Sequence, residues 1–146
     1  GPAGGPVFVE ARARARATRA KGDGAPEVVL DANGRGHYVV YGRINGRPVT
    51  LLVDTGATDV AVPAALAERL GRPRQGGVIS QTANGAVAGW RSELDSLRIG
   101  GIQLRGVAAT VLPDMGDDIV LLGMSALKRL ELVQRDRQLT LRVPAG

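Results

Sequence analysis

Asp54-Thr55-Gly56 is the sharpest chemical signal in the sequence. A carboxylate follows directly on the apolar run Leu51-Leu52-Val53 and precedes Ala57-Thr58. A buried strand of that kind carries a carboxylate to the floor of a cleft, and Gly56 would let the chain turn there without a Cβ clash. A carboxylate so placed suits general acid–base work. Alone, the tripeptide also fits a turn aspartate capping a strand-to-loop corner. No second Asp-Thr-Gly or Asp-Ser-Gly occurs. Asp95, Asp114, Asp117 and Asp118 stand in polar or turn-like contexts, and Asp59, close by in sequence, is read as separate in role.

Other catalytic chemistries find little support. The chain has no cysteine, which removes disulfides, thiolate zinc sites and cysteine nucleophiles together. His37 is the single histidine, so a zinc site with several imidazoles is excluded. No nucleophile motif accompanies His37, which reads as a strand residue. Ser125 follows Gly123-Met124 but lacks the second glycine of a nucleophile elbow, and it reads as a helix N-cap. The glycines fit turns, since neither GxGxxG nor P-loop spacing opens a helix. Neither a metal nor a cofactor is implied.

The elements that must position Asp54 are short strands. Val28-Val29-Leu30 and His37-Tyr38-Val39-Val40 flank Asn33-Gly34, a pair suited to a tight hairpin. Val39 to Ile44 continues as strand, Asn45-Gly46 turns, and Val49 to Val53 runs as a buried strand into Asp54. Val60-Ala61-Val62 is a further strand, and Pro63 opens a helix that Gly71 closes. Val78 to Ala83 and Ala86 to Trp90 flank Asn84-Gly85 as a second hairpin. Trp90 fits either the core or a cleft wall. Strands follow over Glu93 to Ile99 and Ile102 to Val111, then the apolar run Ile119 to Gly123, a helix near Ser125 to Leu130, and a closing hairpin across Arg135-Asp136. The two halves echo each other in strand, sharp turn and Ala-Leu helix, as a duplicated unit would. Many short strands and two short helices predict an all-β, barrel-like domain. With aromatics at 3%, its core must be built from Val, Leu, Ile and Ala.

From about Gly36 to Leu141 the chain resembles the retropepsin-like aspartic proteases, in particular the bacterial single-domain members. The resemblance rests on Leu52-Val53-Asp54-Thr55-Gly56-Ala57, the helix ending Arg69-Leu70-Gly71, the Thr82-Ala83-Asn84-Gly85 hairpin and Leu121-Leu122-Gly123-Met124-Ser125. It implies a single-lobe closed β-barrel, active as a two-fold homodimer in which each subunit supplies Asp54 as the catalytic carboxylate. Two facing carboxylates cannot both ionise easily and share one proton, a behaviour for which aspartic proteases are the standing example. The resemblance further implies that Thr55 reaches across to the partner's loop and that Gly56, Ala57, Leu122 and Gly123 support the catalytic loop. Thr82, Ala83, Asn84 and Gly85 become the tip of a flap over an extended peptide substrate. The rival reading is a non-catalytic module of the same fold, used for dimerisation or peptide binding. The chain is longer than the viral pattern, so its termini need not form the interleaved sheet that joins viral subunits.

Residues 1–26 form a separate region. Gly1-Pro2 has the form of a scar left by tag removal, with a natural start expected upstream. ARARARATRA, residues 11–20, reads as a solvated arginine-rich leader, although its alternation also suits an edge strand and its alanine content a helix. The leader carries +3 of the net +5. The remaining body, residues 27–146, has no basic stripe and few aromatics, so nucleic acid is not an expected partner. No run approaches the roughly 18 apolar residues of a membrane span. An N-terminal membrane anchor upstream, with the domain in the periplasm, is the expected placement, because bacterial members of the family often carry one.

Overall fold

The structure is a computed structural model describing residues 16–19, 25–71, 75–82, 85–113, 115–116 and 118–145. Among the described residues, eleven strands and two short helices follow in order: β1 (Arg16–Arg19), β2 (Pro26–Asp31), β3 (Val39–Ile44), β4 (Arg47–Val53), β5 (Val60–Pro63), α1 (Ala64–Leu70), β6 (Gly76–Thr82), β7 (Gly85–Ile99), β8 (Ile102–Leu112), β9 (Ile119–Leu122), α2 (Met124–Leu127), β10 (Glu131–Arg135) and β11 (Gln138–Arg142).

Seven strands form one sheet in the order β3-β4-β9-β5-β8-β7-β6, and a β3–β7 pairing closes the first six into a barrel. Closure removes the open edges that a flat sheet would leave. Two of its pairings are parallel: β4 runs alongside β9, Val53 opposite Leu122, and β5 alongside β8, Val60 opposite Ala109. Strand β6 is bonded only to β7 and stands off the barrel as the outer arm of a hairpin. The second sheet has the order β1-β2-β11-β10.

One core serves both sheets. Ile44, Leu51, Leu94, Leu97, Ile99, Ile102 and Leu122 from the barrel join Val28, Leu30 and Leu141 from the smaller sheet and Leu127 from α2. All are aliphatic, as the scarcity of aromatics requires, and alternate positions along the strands supply them. Trp90 is half-buried and packs against this core. The fold is thus the all-β closed barrel with two short helices expected from the strand pattern.

The turns separate into those whose chemistry is local and those it misleads. Asn45 and Gly46 both take positive φ, 52° and 81°, the pattern of a two-residue hairpin turn. Gly71 ends α1 in the left-handed conformation, with its N–H bonded to the Glu68 carbonyl. Asn33-Gly34, in contrast, does not join a hairpin. Strand β2 pairs with β1 and β11, and β3 with β4 and β7. Asn33 is buried at 2% exposure, and its Oδ1 accepts the amides of Arg35 at 2.9 Å and His37 at 3.0 Å. Its side chain folds the loop on itself, leaving the flanking strands to find partners elsewhere. His37 lies exposed in this loop and not in a strand.

Two further boundaries differ from expectation. The segments read as separate strands on either side of Ser92 are one continuous strand, β7, because β6 offers partners up to Arg91 and β8 from Trp90 onward, so pairing bridges the gap. Within the segment read as a leader, Arg16–Arg19 pairs antiparallel with Pro26–Val29 as an edge strand, one of the regular forms its alternation allowed; residues 1–15 lie outside the described residues. Among the described residues, no helix is long and apolar enough to cross a membrane.

Candidate active site

The parallel β4–β9 pair builds the floor of the site. Asp54 continues the β4 ladder, donating its N–H to the Leu122 carbonyl at 3.0 Å, so the end of one buried strand sets the height of the carboxylate. The chain then turns at once: the Ala57 N–H donates to the Asp54 carbonyl at 3.2 Å, and the Gly56 N–H to Asp54 Oδ1 at 3.0 Å. Asp54 is half-buried, whereas Thr55 and Gly56 are exposed. A Cβ on Gly56 would lie 3.3 Å from Asp54 Oδ1. The glycine leaves room beside the carboxylate, and its backbone does not lie in the left-handed region. The Thr55 hydroxyl has no hydrogen-bond partner among the described residues of its own chain.

Behind the loop stands α2. The Met124 N–H donates to the Ala57 carbonyl at 2.8 Å and the Ser125 N–H to Thr58 at 2.9 Å. Gly123 allows this approach: a Cβ there would collide with the Asp59 carbonyl and lie 2.8 Å from the Ala57 oxygen. Leu122 is fully buried beneath. The expected support residues Ala57, Leu122 and Gly123 are therefore brought against the Asp54 loop.

Ser125 is not the N-cap of its helix; Gly123 holds that position and no side chain caps it. Its hydroxyl is buried, accepts the Val60 N–H at 2.9 Å and donates to the Ala108 carbonyl at 2.7 Å. One side chain thereby joins the exit of the Asp54 loop, strand β8 and α2. A serine at a helix start reads as a cap, so its partners, 65 and 17 residues away, leave no local trace.

A cleft of about 910 Å³ opens above Asp54. Gly56, Ala57, Thr58 and Asp59 line it from the Asp54 loop and Val78, Ile79, Ser80, Gln81 and Val87 from the β6–β7 hairpin, and Ala61, Thr110, Leu112, Met115 and Leu121 complete the described lining. Ile79 is 66% exposed, a large apolar side chain presented over the cleft. Thr82 pairs with Gly85, whose φ is +102°; Ala83 and Asn84 lie outside the described residues. Asp59, set apart from the site on sequence grounds, faces the same cleft, half-buried, with its Oδ2 accepting the Thr110 hydroxyl at 3.4 Å.

Comparison with known proteins agrees with this geometry. Residues 40–129 match the model of a family described as "gag-polyprotein putative aspartyl protease". An uncharacterized Sinorhizobium protein of the cobV 5' region is 36% identical over 124 residues, 82% of this chain and 53% of its own length. The uncharacterized protein RP867 of Rickettsia prowazekii is 31% identical over 117 residues, 77% of this chain and 49% of its own. The chain thus spans about half the length of these relatives. Among solved structures, a retropepsin-like aspartic protease from Rickettsia conorii superposes with a TM-score of 0.65 at 24% identity, over 88% of this chain and 93% of that one. The EIAV protease in complex with the inhibitor HBY-793 gives 0.54 at 21% identity, over 63% and 86%. With its barrel, its single Asp-Thr-Gly loop and these matches, the chain belongs to the retropepsin-like aspartic protease family.

Proposed function

We propose that the chain is an aspartic endopeptidase whose working unit is a homodimer, with one Asp54 from each subunit. The observation that carries the reading is Asp54 at the end of β4, held by its own loop at the floor of an open cleft. In the dimer one Asp54 is ionised and takes a proton from a water between the two. The other is protonated and donates a hydrogen bond to the scissile carbonyl. Water oxygen adds to the carbonyl carbon, a proton passes to the amide nitrogen, and the C–N bond breaks to give acid and amine. The exposed Thr55 hydroxyl, unpartnered within its own chain among the described residues, suits a bond to the facing loop. The β6–β7 hairpin serves as the flap, with its tip at Thr82, Ala83, Asn84 and Gly85. An extended peptide would pair with its backbone. A membrane-tethered, periplasmic placement of the whole protein is part of this proposal, and fractionation of the full-length protein tests it.

The test is peptide hydrolysis by wild type and Asp54→Asn. Wild type is expected to cleave and the variant to lose activity by at least about a thousandfold, with an unchanged circular-dichroism spectrum. Undiminished cleavage by purified Asp54→Asn removes the assignment.

A further inference from the structure

Arg43 and Arg98 stand directly opposite each other where β3 meets β7 to close the barrel. They are far apart in the sequence, so no basic stripe announces them there. The strands meet closely at this point, since a Cβ on Gly42 would lie 2.5 Å from the Arg98 carbonyl. The next pair along, Ile44 and Leu97, is fully buried, so the two arginines face outward, and both are exposed. Pro48 on β4 and Gln103 on β8 continue the row on either side, also exposed. Like charges set opposite each other destabilise a sheet. Nothing among the described residues relieves this pair. Arg43 donates to the Gly46 carbonyl at 3.0 Å, and Arg98 has no hydrogen bond or ion pair. Strands β3, β4 and β8 contain no acidic residue. Of the two acids on β7, Glu93 lies beside Gly106, and Asp95 has a partner other than these arginines.

Two further features border the row. Tyr41, two residues from Arg43 along β3, is 54% exposed, and Arg105, two residues from Gln103 along β8, is exposed as well. The chain also enters β2 here: Pro26 lies against Gly101 of the β7–β8 turn, and Arg19, in the arginine-rich segment, pairs with Pro26. A guanidinium carries several N–H donors in a planar fork that matches phosphate oxygens. Tyrosine beside arginine is a pairing suited to the headgroup layer of a bilayer, where an amphipathic ring is at home. Binding to bases would call for a series of aromatics to stack on, and Tyr41 is the single one in this row. We infer that this outer face of the barrel, centred on Arg43 and Arg98, docks the domain on a membrane surface of anionic phospholipid. None of these residues lines the cleft, so the inference is independent of the proteolytic reading. Each arginine near such a surface strengthens binding by about fivefold.

The test is co-sedimentation of the whole chain with vesicles, either of phosphatidylcholine alone or with about a third phosphatidylglycerol, at roughly 100 mM salt. Wild type is expected to bind the anionic vesicles and to leave the neutral ones. Arg43→Gln with Arg98→Gln should weaken that binding by about twentyfold, the two contributions combined. Arg43→Lys with Arg98→Lys, which keeps the charge, should retain most of it. Arg69→Gln with Arg135→Gln removes the same charge from α1 and β10 and should weaken binding by no more than about threefold. Because the Arg43 and Arg98 glutamine pair removes a repulsion, its Tm should equal or exceed that of wild type. Equal binding to neutral and anionic vesicles, a glutamine pair that binds like wild type, or a control pair that loses as much would overturn the inference. So would a lower Tm for the glutamine pair, which would make the arginines a structural contact. Tighter binding to duplex DNA than to vesicles, lost in the same variant, would assign the face to nucleic acid instead.

Discussion

At the scale of single residues, the Asp54 loop is held by a side chain that does not line the cleft. Ser125 satisfies the buried Val60 N–H and bonds the part-buried Ala108 carbonyl. Ser125→Ala is expected to cost about 1–3 kcal/mol, the penalty for orphaned buried polar groups. It should also lower kcat more than it raises KM, because the loop it anchors carries Asp54. Urea denaturation and steady-state kinetics on the same protein check both parts. A stability loss under about 0.5 kcal/mol would mean that solvent reaches those groups. Asp54 itself was legible in the sequence because its signal is contiguous: apolar strand, carboxylate, glycine. Ser125 and Asp59 were not, because their roles come from Ala108 and Thr110 on β8, about 17 and 51 residues away, and no local pattern encodes that meeting.

At the scale of elements, the proposed flap is the β6–β7 hairpin. Among the described residues β6 has one neighbour, β7, whereas every strand of the closed barrel has at least two. Elements held on one side open at lower free energy than those held on both. Gly85 stands at the start of β7 with φ +102°, a conformation strained for any residue with a side chain. Gly85→Val is therefore expected to lower turnover severalfold while shifting Tm by only a few degrees. Hydrogen exchange should show residues 78–90 gaining protection when a peptide-mimicking inhibitor binds. Equal protection with and without it would make the hairpin a fixed sheet arm. The strands and helices of this region were readable from period and turn residues, but their connections were less so. Asn45-Gly46 made a hairpin because the strands on either side pair with each other. Asn33-Gly34 did not, because β11 offers β2 a five-residue register from more than a hundred positions away.

At the scale of the whole molecule, the proposed homodimer, with one Asp-Thr-Gly loop per chain, would make activity a matter of concentration. Specific activity is expected to fall on dilution as dimer gives way to monomer, following the association constant measured by sedimentation. Full activity from a species that sediments as monomer would exclude the two-carboxylate scheme. The small sheet bears on how such a molecule comes into being. β2 and β11 pair across the chain, Asp31 opposite Gln138, 107 residues apart. Non-local pairings of this sort bring a large loop-closure entropy before any contact rewards it, and all-β domains rich in them fold in milliseconds to seconds. On the ribosome, where synthesis runs at about 5–20 residues per second, β2 must wait several seconds for β11 to be made. Until then Val28 and Leu30, which end in the common core, have no finished face to enter. The nascent chain therefore passes through a period in which β2 is made and its partner β11 is not, and a chaperone has time to bind.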